Sequence, residues 1–543
     1  MKNYLSERIS AAIAKAGLPP ADGPVPFEKP RSPEHGDLST TIALLLSRRA
    51  RMAPRKIAEA IVAALEVGED YIAGYEVAGP GFINFRYSHA YLGRTLLAVL
   101  DEGEHFGRTD VHKGKRVNVE WVSANPTGPL HAGHGRQVCL GATLSAMLEW
   151  TGWDVTREYY FNNAGNQMTA LGLSVRARYL EKIGFRIEES EIQYVGGYIG
   201  EIAEEIFKEF GNAKKDAAID FFRLRGEQWC FASIKRTLDA LGVHHDVFFN
   251  EDSLYKDGSI EEVIREFRER GLAYDKDGAV WFRATAFGAD KDRVLVKATG
   301  EPTYRLPDIA YHRKKILRGY DKIIDIFGAD HIATFPDVIA GVSALGLPAD
   351  RIDVIIHQMV SFVDGGEAVR MSKRAGNVYY LDDLIRDVGA DAVRYFFIMR
   401  SANSHLEFDI RLAREQSENN PVYYLQYAHA RIASILRFAQ SEGMSLEAAP
   451  DVSLLRRPEE IALMKTILEF PETVLFCADS YEVHHLCTYL QALAAQFHKF
   501  YHECRVVTDD KRLSHARLAL CLATKQVLAN GLRLLGINAP ERM

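Results

Sequence analysis

The chain is poor in cysteine. Its six (Cys139, Cys230, Cys477, Cys487, Cys504 and Cys521) are scattered through 543 residues with no Cys-x-x-Cys pair. That spacing excludes a zinc ribbon or a disulfide framework and fits buried, inert thiols in a reducing compartment. Long hydrophobic runs are also lacking. No stretch approaches the unbroken apolar length that spans a bilayer, and the opening Met1-Lys2-Asn3-Tyr4-Leu5-Ser6-Glu7-Arg8 starts an amphipathic helix and not a signal-peptide core. There is no low-complexity tract and no evident internal repeat. Positive charge is not in excess: 66 Lys and Arg stand against 73 Asp and Glu, a net charge of −7. This argues against indiscriminate binding of nucleic acid, yet leaves room for a folded RNA gripped by local basic patches. The expectation is a cytoplasmic protein with no structural metal and no DNA or membrane partner.

What the chain does have is length, too much for one core, and an order of elements that divides it. Residues 1–110 read as a small α/β unit. Residues 38–47 are an apolar helical run, Pro54 is placed to open the next helix, and residues 75–85 read as strand, Gly-Pro-Gly turn, strand. Residues 101–115 are charged and contain glycine, as a linker would. Residues 111–410 then open with a short apolar strand at 116–122, a Pro- and Gly-containing loop, a helix at 138–150 and a strand at 154–160, the start of a doubly wound parallel sheet. Residues 165–290 look like a mostly helical insertion, and strand signals return at 322–327 and 351–357. Residues 411–543 are helical, with segments at 423–439, 459–476, 481–501 and 513–535, which suggests a separate bundle.

Two short motifs carry the chemistry. His131-Ala132-Gly133-His134 sits where a loop turns into a helix, a place whose free N–H groups attract phosphates. The two histidines lie three residues apart, so both rings can share one side of the first turn and donate hydrogen bonds to phosphate oxygens, while Gly133 leaves room for a base or ribose. Far downstream, Arg370-Met371-Ser372-Lys373-Arg374 lies in a polar, glycine-containing stretch that can close over a nucleotide, with Lys373 as a mobile point charge for a leaving pyrophosphate. Two basic clusters stand out as well: Arg48, Arg49, Arg51, Arg55 and Lys56, and Arg313, Lys314, Lys315 and Arg318. Either could be no more than a solvated helix face.

Together these motifs resemble those of class I aminoacyl-tRNA synthetases, and the resemblance is strongest to the arginyl-tRNA synthetases, over essentially the whole chain. It is carried by Val119-Glu120-Trp121-Val122-Ser123 with the signature Ala124-Asn125-Pro126-Thr127-Gly128-Pro129-Leu130-His131-Ala132-Gly133-His134. Further support comes from Asp308-Ile309-Ala310-Tyr311-His312, Met371-Ser372-Lys373-Arg374-Ala375-Gly376-Asn377, Gln426-Tyr427-Ala428-His429-Ala430-Arg431, and the ending Gly531-Leu532-Arg533-Leu534-Leu535-Gly536. Ala132 replaces the usual Ile or Val, and Arg370 and Arg374 replace the usual outer residues of the second motif. Lys373 remains.

The resemblance implies a Rossmann-like catalytic domain flanked by an N-terminal tRNA-elbow domain and a helical anticodon-binding domain, in a chain that is a monomer. It implies that Mg-ATP activates the carboxylate of L-arginine, giving arginyl-adenylate and pyrophosphate, and that a terminal ribose hydroxyl of tRNA(Arg) then takes the arginyl group. It also implies that tRNA must bind before the first step. By the same resemblance His131, His134 and Lys373 are catalytic, and Gly133, Gly328, Asp330, His331, Met359, Val360, Met371 and Ser372 join them around ATP. Glu120 and Asp308 would grip the guanidinium with Tyr304, and Asn125 the α-amino group with help from Ser123. Tyr423, Tyr427 and Arg431, with Tyr424, Gln426 and His429 on the same helix, would meet the anticodon loop, where aromatics stack on splayed bases. Arg48 and Arg55 would meet the elbow. Small nucleotidyltransferases share the His-x-Gly-His but lack a long helical C-terminal domain. A cysteinyl-type enzyme would show zinc-ligand cysteines, and an inactive tRNA-binding paralogue would have lost the His or Lys signatures.

Overall fold

The computed structural model describes residues 1–30, 32–163, 166–187, 192–369, 378–444 and 450–543. Arg370 to Asn377, and with them Met371, Ser372 and Lys373, lie outside the described residues. The N-terminal unit is an antiparallel sheet of β1 (Phe27–Glu28), β2 (Leu38–Thr40), β3 (Ile72–Ala78) and β4 (Phe82–Tyr87) in the order β1-β2-β4-β3, covered by the helices Lys2–Lys15, Ile42–Ala50 and Pro54–Ala64. The Gly-Pro-Gly hairpin and the helix opened by Pro54 stand as expected. The apolar run at 38–47 does not: Leu38, Ser39 and Thr40 pair with Phe85, Asn84 and Ile83, so the helix begins only at Ile42. Sheet pairing to a distant strand overrides the local helical period. This unit has its own apolar core, with Leu5, Ile9, Ile42, Ile57, Ile61 and Phe85 at its centre.

The central sheet is fully parallel and holds β5 (Arg116–Glu120), β6 (Asp154–Phe161), β7 (Val247–Asn250), β11 (Lys322–Gly328) and β12 (Ile352–His357) in the order β12-β11-β5-β6-β7. The chain builds outward from β5 in one direction and then returns to build from β5 in the other, so the switch point lies between β5 and β11. In such sheets the crevice beyond the strand ends at the switch point is where ligands bind. Residues 117–120 of β5 are all buried, the continuous pattern of a strand covered on both faces. The helix Gly135–Trp150 crosses beneath it and is buried on nearly every side. Gly141 allows this approach, because a Cβ there would fall 2.2 Å from the Trp121 ring.

Residues 165–290 are not a single helical insertion. The helices Asn166–Lys182, Gly197–Phe210 and Ile219–Ala240 do pack around a core of their own, but β7 then rejoins the main sheet. A small antiparallel sheet of β8 (Ala273–Lys276), β9 (Ala279–Phe282) and β10 (Arg293–Val296) follows. A third sheet joins β13 (Val360–Asp364) to β14 (Glu367–Ala368) and, in parallel, to β15 (Leu406–Asp409).

The C-terminal bundle comprises Pro421–Ser441, Pro458–Leu468, Phe470–Ser480, His484–Glu503 and Lys511–Leu535. Pro471 breaks the segment expected as one helix at 459–476 into two, because a proline removes an interior N–H donor. The last helix has the length and composition to cross a membrane, but most of that stretch is buried inside the bundle. One apolar core runs without interruption from the central sheet into the bundle. The stretch expected as a linker at 101–115 is part of the join: Asn530 Nδ2 donates to the carbonyls of Gly103 (3.1 Å) and Phe106 (3.2 Å), and Phe106 stacks on Phe470.

The join is tightest at Arg394, a buried cation that donates to the carbonyls of Leu535 and Leu241, both at 2.7 Å. Gly536 lies against it with φ +67, and a Cβ there would fall 2.1 Å from the guanidinium carbon. Gly536→Ala therefore meets both a left-handed backbone and a fixed neighbour. We expect it to cost about 1–3 kcal/mol, read as a lowered denaturation midpoint; an unchanged midpoint would refute the close packing.

Candidate functional site

A cavity of about 1100 Å³ opens at the switch point. It brings together every expected arginine- and nucleotide-site residue among the described residues: Glu120, Ser123, Asn125, Tyr304, Asp308, His131, Gly133, His134, Gly328, Asp330, His331, Met359 and Val360. They come from the ends of β5, β11 and β12, from the His tetrad, and from the helix Arg305–Leu317. Of the signature, Ala124 also lines the cavity, whereas Leu130 and Ala132 are buried beneath it and Thr127 offers its carbonyl to the Tyr198 hydroxyl.

The backbone leaving β5 is strained. Val122 and Ser123 have φ values of +70 and +41, and the Ser123 N–H donates back to the Trp121 carbonyl at 3.0 Å, a γ-turn. A β-branched residue in the left-handed region is a costly placement that the surroundings must enforce. Here the return of the chain is fixed twice: Ser123 Oγ donates to Glu120 Oε1 at 2.8 Å and accepts the Tyr160 N–H at 3.0 Å. The turn thus aims Glu120 and Asn125 into one cavity from a single loop. Asn125 Nδ2 donates to Gln167 Oε1 at 2.8 Å, which holds its amide at the rim.

Beneath the cavity lies a buried charge network that the sequence reading missed. Lys315, fully buried, donates to Glu120 Oε2 at 2.5 Å and to Asp325 Oδ1 at 2.6 Å. His312 Nε2 lies 2.9 Å from the other Asp325 oxygen, and its Nδ1 lies 2.7 Å from the Asp308 carbonyl. Burial alone would raise the Asp325 carboxyl, but Lys315 and then His312 outweigh it and hold it below the usual carboxylate range. Among the described residues Asp308 makes no ion pair of its own. Burial pushes it up to about 7, with Glu251, Glu120 and Asp325 adding to the rise and His312 opposing it. A visible signal existed: Asp308, His312 and Lys315 are spaced i, i+4 and i+7, one helical face turned toward the sheet.

The second basic cluster is consumed by ion pairs in the same way. Arg313 pairs with Glu262 and Glu266, Lys314 with Asp257, and Arg318 with Glu158. It forms no phosphate-binding patch.

On the other side of the cavity, the His131 and His134 rings stack with centroids 3.6 Å apart, on the side of the turn they were expected to share. The tetrad occupies a 3₁₀ turn (Ala132–His134) ahead of the α-helix. The Ala132 N–H donates to the Tyr379 carbonyl at 2.8 Å. The His331 ring stacks on Phe327, and Met359 is exposed at the rim. Tyr304 stands just ahead of the helix that carries Asp308 and is also exposed.

Away from the cavity, the helix Pro421–Ser441 presents a continuous aromatic and cationic face. Tyr423 stacks on Tyr427, Tyr427 on His498, and Arg431 lies 5.0 Å over the Tyr501 ring. Two of that helix's expected RNA contacts turn inward instead: His429 is buried with Nδ1 2.8 Å from the Pro540 carbonyl, and Gln426 Nε2 donates to Asp391 and to the Asn538 carbonyl. In the N-terminal unit Arg48 is exposed, and Arg55 reaches Glu59 and the Gly79 carbonyl.

Comparison with known proteins places these features together. Three family models match in chain order: an arginyl tRNA synthetase N-terminal domain over residues 3–87, a class I (R) tRNA synthetase catalytic domain over 95–397, and a DALR anticodon-binding domain over 425–543. The chain is 46% identical to an arginine–tRNA ligase of Salinibacter ruber over 564 aligned residues and 46% identical to one of Pelodictyon phaeoclathratiforme over 553, with each chain fully covered. A Thermus thermophilus arginyl-tRNA synthetase structure superposes over the full length of both chains with a TM-score of 0.79 at 21% identity, a likeness of fold.

Proposed function

The chain belongs to the arginyl-tRNA synthetase family, and on that premise we propose how its own residues divide the work. The reaction is the family's: ATP-dependent ligation of L-arginine to tRNA(Arg) for translation. Glu120 and Asp308 receive the guanidinium, whose planar fork suits two carboxylates, with Tyr304 closing over it from the rim. Asn125 and Ser123 orient the α-amino end. The stacked His131 and His134 face the phosphates of ATP, and Gly133, Gly328, Asp330, His331, Met359 and Val360 surround its nucleoside. Lys373 neutralises the leaving pyrophosphate, and Met371 and Ser372 join it in binding ATP. No protein nucleophile is needed, because the arginine carboxylate attacks the α-phosphate directly and the protein supplies position and charge. Mg²⁺ arrives with the phosphates of its substrate, as this cation usually does. Among the described residues no cluster of His, Cys, Asp or Glu is arranged to cage a metal.

The observation that carries this assignment is the convergence of Glu120 and Asp308 with the His tetrad in one cavity. The tyrosine and arginine face of Tyr423, Tyr427 and Arg431 would stack on anticodon bases, and Arg48 and Arg55 would meet the tRNA elbow, with domain boundaries near residues 110 and 410. A cytoplasmic monomer without DNA or membrane partners completes the reading. The test is pyrophosphate exchange into ATP with each amino acid, with and without total tRNA. Exchange with arginine alone, and only when tRNA is present, is the expected result. Exchange with another amino acid would discard the Glu120–Asp308 assignment.

A further inference from the structure

Arg136 stands two residues after the His tetrad and is fully buried. Among the described residues its charge meets three carbonyls and no carboxylate: Nη1 donates to Gln358 O and to Ser404 O, both at 2.8 Å, and Nη2 donates to Ser401 O at 2.7 Å. Nε is buried with no partner among the described residues. A cation held in the interior by peptide dipoles alone is an expensive way to join two loops, since an apolar side chain of similar size could fill the space without the desolvation cost.

The carbonyls it holds explain the placement. Gln358 precedes Met359 and Val360, which line the cavity beside Gly328 and His331. Its carbonyl and the Met359 N–H belong to one trans peptide, so they point in opposite directions. With the carbonyl turned onto Arg136, the Met359 N–H is directed the other way. The second loop, 401–404, leads into β15, which pairs with β13 from Val360↔Leu406 onward, and the Gln358 N–H returns the bond to the Ala402 carbonyl at 3.0 Å. The fork of Arg136 therefore fixes the cavity-side peptide against both its neighbour strand and the helix of the His tetrad. Burial lowers the guanidinium to about 10, still charged at neutral pH.

We propose that Arg136 is a positioning residue for nucleotide recognition: its grip on the Gln358 carbonyl sets the backbone edge at Met359 that discriminates adenine from other bases. This rests on the proposed placing of Met359 and Val360 at the nucleoside of ATP, with their backbone as the wall that adenine meets. The test uses the full chain in pyrophosphate exchange with saturating arginine and tRNA, comparing ATP with inosine triphosphate, whose protonated N1 offers the Met359 N–H a donor where adenine N1 offers an acceptor. Arg136→Met is expected to raise KM for ATP by about tenfold or more, the scale of one charge-assisted hydrogen bond, and to shrink the preference for ATP over inosine triphosphate. KM for arginine should change by less than about twofold. Arg136→Lys, which keeps a buried cation but not the fork, should recover part of the preference, and it decides the question if Arg136→Met does not fold. A folded Arg136 variant with unchanged KM for ATP and unchanged base preference would overturn the proposal and leave the side chain a structural bolt. Met359→Pro separates the two readings, since it deletes the N–H while leaving Arg136 intact. If Met359→Pro leaves KM for ATP unchanged, the adenine-wall reading fails. If it raises KM while the Arg136 variants do not, only the role of Arg136 falls.

Discussion

Lys315→Met is expected to cost the fold about 3–5 kcal/mol, the largest single loss available among the charged residues described above. Methionine matches the stem of lysine in volume, so the loss is electrostatic. It takes the ammonium from two buried carboxylates, each now within 2.6 Å of it, leaving Glu120 with the Ser123 hydroxyl and Asp325 with His312. The pH dependence distinguishes this cause from a packing defect. In the wild-type protein Asp325 is depressed below its unfolded value, so its pairing contributes stability that is fully present above the usual carboxylate range. That contribution is lost as pH falls through the depressed folded value. Without Lys315, Asp325 loses the larger of the two charges that hold it down and takes up a proton more readily, so the gap between variant and wild type should narrow as pH falls from 7 toward 5. Denaturant melts across that range measure it, and a gap that stays constant would point to packing instead.

Asp308→Asn is expected to lower kcat/KM for arginine by roughly 30- to 4000-fold, the effect of removing one partner from a desolvated charge pair worth about 2–5 kcal/mol. The wild-type enzyme should show the same group in its pH profile. Burial pushes the Asp308 carboxyl from its ordinary value of 3.8 up to about 7. The sign follows: the carboxylate is present above about 7 and protonated below it, and the guanidinium binds only the charged form. KM for arginine should therefore be flat above pH 8 and rise by about tenfold per unit below 7. The groups around it are Glu251, Glu120, Asp325 and His312, and of these His312 alone opposes the rise. For folding the sign is reversed. A carboxyl whose folded value is raised weighs against the native state as pH climbs from its unfolded value toward 7, a cost that bound arginine offsets. A KM for arginine that does not change between pH 8 and 6 would remove Asp308 from the guanidinium seat.

Glu120 and Asp308 were singled out by the family resemblance of the strings that hold them, and the fold brings both to one cavity. Glu120 ends an apolar strand five residues before Asn125, and Asp308 opens an amphipathic helix. The network that holds them was not legible, since it depends on which strands lie side by side. Lys315 meets Glu120 only because β11 pairs with β5, two elements about two hundred residues apart. Arg136 is similar: it stands beside a motif that reads plainly, yet its partners at 358 and 401–404 are set by tertiary folding. The run at 38–47 failed for the same reason, its first three residues taken by β4. The cluster at 313–318 looked like a basic surface because the acids that neutralise it come from distant segments.

The grip of Arg394 on the carbonyls of Leu241 and Leu535 has a consequence for how the molecule is made. The N-terminal unit, with a core of its own, is free to fold as soon as it leaves the ribosome. The central sheet shares its core with helices that end at residue 535, so it stays uncovered until nearly the whole chain has emerged. At roughly 5–20 residues per second, that is an exposure of about twenty to ninety seconds. During that time an enzyme that supplies translation depends on translation, and on whatever shields nascent apolar surface, to reach its working form.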